Sequence, residues 1–238
     1  MDGFSYTDIF DTKGIEYLII IAFLILIIPF WRALNKPIKA GKLLKEAAGT
    51  LSENMLSIPQ GIFYGKNHTW AHLEKSGIAR IGLDDLLLHL TGPVEVKQLR
   101  QPGEIIKKGE VLAEISQGEK QLIIESPVSG TIEKVNTELL KDPLRISLDP
   151  YGKGWLAAMQ PENWMEETRS LFISKGATHW VKQELTSMKD FIAMELKKYS
   201  PEEEMIILQE GGELRDYPLS EMGNEVWKDF QEKFMNRK

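Results

Sequence analysis

The 238-residue chain contains no cysteine. That absence excludes disulfides, thiolate metal sites and cysteine nucleophiles together. The formal net charge is -6, and no basic stripe interleaved with aromatics follows residue 50, so the face that a nucleic-acid footprint needs is missing. Histidine is scarce, four residues in all. His68 and His72 are four apart with Trp70 between them. On a helix they would turn two imidazoles toward one metal, but Tyr64 to Leu73 reads as a strand, which separates them by ~13 Å. His89 and His179 have no acidic or histidine companion at ligand spacing and read as surface or capping residues. No metal site is expected. Acidic residues at Asp84-Asp85 and Glu202-Glu203-Glu204 stand at helix starts, where carboxylates favour the positive end of the dipole. No glycine-rich loop leads from a strand into a helix as a phosphate cradle would, and no Gly-x-Ser-x-Gly elbow is present. With no nucleophile and base to pair, the chain is not read as an enzyme.

A long apolar run is present. Ile15 to Trp31 is broken only by Glu16 at its outer end, and its length is near the lower limit for a bilayer span. Tyr17 and Trp31 sit at its two ends, where amphipathic rings favour the headgroup level, and Pro29 falls near the end, where it costs little internal hydrogen bonding. The preceding residues include Asp2, Asp8, Asp11 and Lys13 in place of a basic leader, and no small-x-small cleavage site follows, so the run reads as an anchor. Arg32, Lys36, Lys39, Lys42 and Lys45 precede the first acid, Glu46, which puts the C-terminal side in the cytoplasm. The expectation is a single-pass protein of the cell membrane, or of the inner membrane in a cell with two. Residues 1–14 would lie outside the cytoplasm, 15–31 would form the transmembrane helix and 32–59 a basic tether. Leu43, Leu44, Ala47, Ala48 and Leu51 recur there at helical spacing, which suits a short amphipathic helix.

From residue 60 the pattern changes. Short alternating strands separated by Gly and Pro turns predict a mainly β sandwich or flattened barrel, with one helical stretch, Asp84 to Leu90, covering an end. Trp70 and Trp155 fall on strands with alternating apolar residues and read as core anchors. The centre of the domain is a hairpin. Val111 to Ile115 and Leu122 to Ile124 flank a polar turn, Ser116 to Lys120, and Ser126-Pro127-Val128-Ser129-Gly130 then turns the chain into a strand over Thr131 to Asn136.

The segment Gly109 to Gly130 resembles the carrier hairpin of biotinyl/lipoyl domains, and its flanks resemble the H protein of the glycine cleavage system. The resemblance is carried by Tyr64 to Trp70 (with Thr69 where the family has glutamate), Gly77 to Gly82, Leu83 to Leu90 with Gly92, Pro102-Gly103, Lys107-Lys108-Gly109 and Asp142-Pro143. Its most specific part is Asp149-Pro-Tyr-Gly-Lys-Gly-Trp-Leu156. It covers residues 60–165 and implies a lipoyl-type β fold, a barrel-sandwich hybrid. It also implies lipoate on a lysine at the hairpin tip, eight residues before the proline of the Pro-Val-Ser-Gly turn. Counting back eight from Pro127 gives Glu119. Lys120 is one residue late, and Ser116 holds the position of the family's recognition glutamate. Side chains on a strand alternate faces, so Lys120 should point away from where its neighbour points. Two readings follow. In the first the hairpin has lost its cargo site, binds no cofactor and serves as an interaction or assembly module of a membrane-associated complex. In the second Lys120 bears lipoate as a swinging arm for glycine cleavage-type, sulfur or electron transfer.

Residues 166–238 leave the family and predict an α+β extension. Helices are expected over about Glu162 to Ile173 and Thr178 to Lys198, then a hairpin over Met205 to Tyr217 with Gly211-Gly212 as its turn. A last amphipathic helix over about Glu221 to Met235 carries Val226, Trp227, Phe230 and Phe234 on one face. Those apolar faces need a surface, either the β domain itself or a protein partner.

Overall fold

The computed structural model describes residues 17–27, 51–52, 55–199, 208–209 and 213–237. The chain divides into a unit of Met1–Ala47 and another of Ala48–Lys238. In the first, residues 17–27 form helix α1 with every residue exposed. Eleven residues rise ~16 Å, against a hydrocarbon core of ~30 Å. Among the described residues no helix is long and apolar enough to cross a membrane. The outer residues of the expected 15–31 span, and most of the 32–59 tether, lie outside the described residues.

The second unit is antiparallel β with helices added. Its strands are β1 (Phe63–Tyr64), β2 (Thr69–Leu73), β3 (Ala79–Leu83), β4 (Glu95–Leu99), β5 (Ile105–Ile106) and β6 (Val111–Gln117). They continue as β7 (Lys120–Glu125), β8 (Gly130–Val135), β9 (Ala157–Pro161) and β10 (Phe172–Ile173). A seven-stranded sheet runs β10-β1-β2-β3-β9-β8-β5, and a three-stranded sheet runs β4-β6-β7. Alternation divides the apolar residues between two clusters. Trp70 and Ala113 enter the larger one, whereas Ala71 and Leu112, next to them in sequence, enter the smaller. Trp70 lies directly across from Gly82, where a Cβ would come within 2.6 Å of the indole. Glycine there is the condition for a fully buried tryptophan.

Helix α2 spans Asp85–Thr91, one residue beyond the expected stretch at its C-terminal end. Asp84 is its N-cap, with Oδ1 accepting from the Leu87 N–H at 2.8 Å. The Asp-Pro-Tyr-Gly-Lys-Gly-Trp-Leu run folds for local reasons. The Asp149 carboxylate accepts from the N–H groups of Gly152 (3.0 Å) and Lys153 (2.8 Å), as an Asp-initiated turn does. Tyr151 then reaches across the domain, its hydroxyl donating to Ser57 O (2.9 Å) and accepting from Asp85 N–H (3.1 Å).

The extension differs in detail from its expected layout. In place of one helix over 162–173 there is a single α-turn, Trp164–Glu167, a 3₁₀ turn, Thr168–Ser170, and then β10, because Phe172 and Ile173 pair with the edge of β1. A long helix, α3, spans Lys175–Tyr199. Strands β11 (Leu208–Gln209) and β12 (Glu213–Leu214) pair as expected, with Gln209 opposite Glu213, so three residues separate them and not two. The expected last helix is divided into a turn at Pro218–Glu221, helix α4 at Asn224–Phe230 and a π turn at Gln231–Met235, with the break at Met222-Gly223. The apolar faces of α3, α4 and the π turn join the main core through Trp180, Leu185, Phe191, Trp227, Phe230 and Phe234.

A buried charged chain ties α3 to the β domain. His68 adopts a left-handed conformation (φ 57) in the turn between β1 and β2, a region that histidine enters more readily than most residues. Its Nδ1 lies 2.9 Å from Asp84 Oδ2 and its Nε2 lies 3.7 Å from Glu184 Oε1, with the ring and both carboxylates buried. Arg237 closes the chain at 2.6 Å from Glu184. Burial alone would push the His68 pKa down, but Asp84 and then Glu184 outweigh it and raise the value to about 9. The folded pKa therefore exceeds the unfolded value of ~6.5, so the imidazolium's contribution is complete below ~6.5 and declines as pH rises through about 9. Urea midpoints from pH 6 to 10 should fall between pH 7 and 9.5, by an amount on the order of a few kcal/mol in stability. His68→Gln should flatten that slope, and a slope unchanged by the substitution would contradict the assignment.

Candidate functional site

The hairpin β6–β7 is tighter than the sequence suggested. Gln117 pairs with Lys120, leaving Gly118-Glu119 as a two-residue turn. Gly118 has φ 64 and Glu119 has no positive φ, the pattern of a type II′ turn with glycine first. Glu119 is exposed at the tip. Across the two strands Gln117 faces Lys120, Ile115 faces Leu122 and Ala113 faces Ile124, so these six share one face of the ribbon. The four apolar members are buried in the main core, and Lys120 therefore turns inward while Glu119 stays at the turn.

Lys120 is met there by the extension. Its ammonium donates to Ser220 O at 2.9 Å and lies 3.4 Å from the carbonyls of Leu219 and Met222. The Leu219 carbonyl also accepts the Met222 N–H that closes the short helical turn Pro218–Glu221 (3.2 Å), and a cation beside the last carbonyls of a helical turn interacts favourably with them. The same ammonium lies 5.1 Å from the Trp227 ring centroid, and the Trp227 indole N–H donates to Leu219 O at 2.8 Å. Lysine, turn and tryptophan form one unit.

Strand β7 is the outer strand of its sheet, and side-chain amides cap its open edge. The Ile123 N–H donates to Gln231 Oε1 (2.8 Å) and Gln231 Nε2 donates back to Ile123 O (3.2 Å). Further along, Asn67 Nδ2 donates to Glu125 O (3.1 Å), with Thr69 Oγ1 donating to Asn67 Oδ1 (2.7 Å). At the hairpin's far end Gln117 Nε2 donates to Thr91 O and Pro93 O (2.8 and 3.0 Å).

Next to this clasp His89 joins α2 to the extension. Its Nδ1 lies 2.8 Å from Asp216 Oδ1, its ring stacks on Tyr217 at 6.3 Å, and its carbonyl accepts the Tyr217 N–H. Burial pushes the His89 pKa down, but Asp216 and Asp85 raise it above the ordinary histidine value. The sequence reading of a surface or capping residue missed this role. His72 is exposed, with Nδ1 3.2 Å from Gly61 O, and His179 is exposed on α3. Among the described residues no cluster of three or more His, Asp or Glu side chains is placed to hold a metal.

A cleft of about 630 Å³ opens at the foot of the hairpin, lined by Asn67, Lys107, Lys108, Glu125, Pro127 and Leu171 among others. Its size suits a small ligand. Much of its polar lining is already committed. Lys108 Nζ donates to Ser170 Oγ (2.7 Å) and Glu167 O (3.0 Å), and desolvation lowers its pKa. The Glu167 carboxylate holds the Pro-Val-Ser-Gly turn through the Ser129 N–H and hydroxyl, at 2.6 and 2.5 Å. Gly130 follows with no room for a side chain, since a Cβ would collide with the Gln160 carbonyl.

An antiparallel β domain built around a short hairpin, followed by Pro-Val-Ser-Gly and a return strand, is a lipoyl-type domain. Residues 62–184, just over half the chain, match the family described as glycine cleavage H-protein, and the chain belongs to that family. Among curated proteins it is 34% identical over 140 residues to the probable glycine cleavage system H protein 2 of Saccharolobus solfataricus, covering 58% of this chain and 94% of the relative. It is 33% identical over 125 residues to the probable glycine cleavage system H protein of Pyrococcus abyssi, covering 52% and 92%. A crystal structure of a glycine cleavage system H protein from Mycobacterium marinum aligns over 44% of this chain and 86% of that one, with 33% identity and a TM-score of 0.41.

The clasp yields a direct measurement. Lys120→Met keeps the alkyl stem but removes the donor from three carbonyls, and should cost about 1–3 kcal/mol in urea unfolding. Amide exchange at Ile123 should quicken in the same variant, because α4 and the π turn would loosen. Glu119→Gln should stay within about 0.5 kcal/mol of the parent. Equal effects from both substitutions would show that the inward position of Lys120 carries no special weight.

Proposed function

We propose that this H-protein family member does not carry lipoate and works as a non-catalytic interaction or assembly module, anchored by its apolar N-terminal run to a membrane-associated complex. The observation that carries this reading is the fate of the two candidate positions. Glu119, at the place the family gives its lipoyl lysine, is a carboxylate and cannot form the amide. Lys120 carries an amine, but its ammonium is engaged by the carbonyls of Leu219, Ser220 and Met222 and by Trp227. An arm built on Lys120 would first have to displace that segment of the extension.

The anchor rests on the apolar run and the basic residues after it, which favour a cytoplasmic second unit. The exposed apolar helix α1 supports it, since such a surface calls for cover. The partner would be a protein of that membrane. The competing reading, a carrier using Lys120, draws its support from family membership.

The deciding measurement is the mass of the peptide containing Ser116 to Gln121, from protein isolated out of its native cells. The expected result is an unmodified peptide in cells whose other lipoyl proteins are fully loaded. A lipoyl adduct on Lys120 would replace the module by the carrier. Separately, the chain should remain in the membrane pellet after alkaline carbonate washing, and deletion of residues 1–31 should release it; recovery of the full chain in the wash would remove the anchor from the proposal.

A further inference from the structure

A second polar cavity, of about 290 Å³, opens beside Trp155 between the end of β8 and the loop that leads into β9. Three cations line it, Lys134 from β8, Arg145, and Lys153 from the loop. The carboxylate on its wall, Glu138, lies 3.4 Å from Arg145 and 3.7 Å from Lys141. Arg145 is further held by Asp142 at 3.0 Å. Lys134 and Lys153 have no such acid among the described residues, although the chain as a whole carries six more negative than positive charges. The Lys134 ammonium lies 5.9 Å from the Trp155 ring centroid and the Arg80 guanidinium 5.7 Å from it, so the ring already gathers two cations.

The walls of this cavity are fixed. Asn136 is buried and donates from its side-chain nitrogen to both Lys153 O and Trp155 O, each at 2.8 Å. Asp149 holds the N–H groups of Gly152 and Lys153 from the other side. The backbone that carries Lys153 and Trp155 is thus set before anything binds, which lowers the ordering cost of a ligand.

We propose that this cavity binds a phosphate-type anion. Two lysines without acidic partners supply charge and up to six donors without a fixed plane, which suits tetrahedral oxygens carrying more than one charge. The volume is at the lower end for small-ligand sites and admits a compact anion, not a folded segment. That chemistry has two sources, a soluble phosphate compound and the phosphodiester headgroup of an anionic lipid.

The test uses the full chain labelled with 5-fluorotryptophan and mixed with phosphatidylcholine nanodiscs, with the Trp155 fluorine signal assigned through Trp155→Phe. Inorganic pyrophosphate is titrated at constant ionic strength. The expected result is a saturable shift of the Trp155 signal, weakened at least about tenfold by combining Lys134→Gln with Lys153→Gln and unchanged by Lys141→Gln. This arm reads the same whether or not the chain inserts in the disc, so it stands apart from the anchor. Discs containing phosphatidylglycerol, without pyrophosphate, separate the two sources: the same shift there identifies the headgroup, and its restriction to the pyrophosphate titration identifies a soluble phosphate. Absence of a saturable shift under both conditions, or a shift that survives the double substitution, overturns the proposal.

Discussion

Strand β7 sets the central constraint on this molecule. It is the last strand of a three-stranded sheet, so among the described residues one row of its backbone groups has no strand to pair with, and its inner residues Leu122 and Ile124 are apolar. A sheet edge in that condition invites association with other chains. The extension answers both needs at once. Phe230, Phe234 and Trp227 complete the apolar core, while the Gln231 amide supplies Ile123 with the donor and acceptor of a missing strand. The π turn belongs to the same solution, because it begins at Gln231 itself.

The polar contacts around this arrangement are organised by who is buried with whom. The Asp84–His68–Glu184–Arg237 chain runs from a helix N-cap to the C-terminal residues. Removing one member would leave another charge without compensation in the interior, which is costlier than replacing the whole set by apolar groups. Its effect is to specify one docking position for α3. His89 with Asp216 plays a similar part for the segment after β12.

What could be read from the sequence was local. Alternation and turn residues gave the hairpin, and the run from Asp149 to Leu156 could be recognised because one carboxylate folds it over four residues. Family resemblance supplied the β architecture for the same reason, through short motifs in fixed order. The contacts that decide the site were not legible in that way. Lys120 meets carbonyls a hundred residues further along the chain, and backbone carbonyls leave no mark in a sequence. Gln231 differs in no visible respect from any other surface glutamine on an amphipathic helix. The 162–173 stretch misled because a helical pattern was overridden by the open edge of β1, a tertiary cause. Glu119 lies in the turn and on neither strand, so strand alternation does not govern where it points, and nothing in the sequence told what would receive the lysine.

The two-residue turn at Gly118-Glu119 leaves very little chain at the tip of the hairpin. With Gln117 tied to the end of α2 and Lys120 tied to the extension, both stems of the turn are moored within one residue of it. Glu119 therefore sits on a short, stiff prow. A surface that engaged it would recognise a shape already set and would lose little freedom in doing so. A long arm pivoting on the same spot works in the opposite way, by sweeping a large volume before it makes any contact.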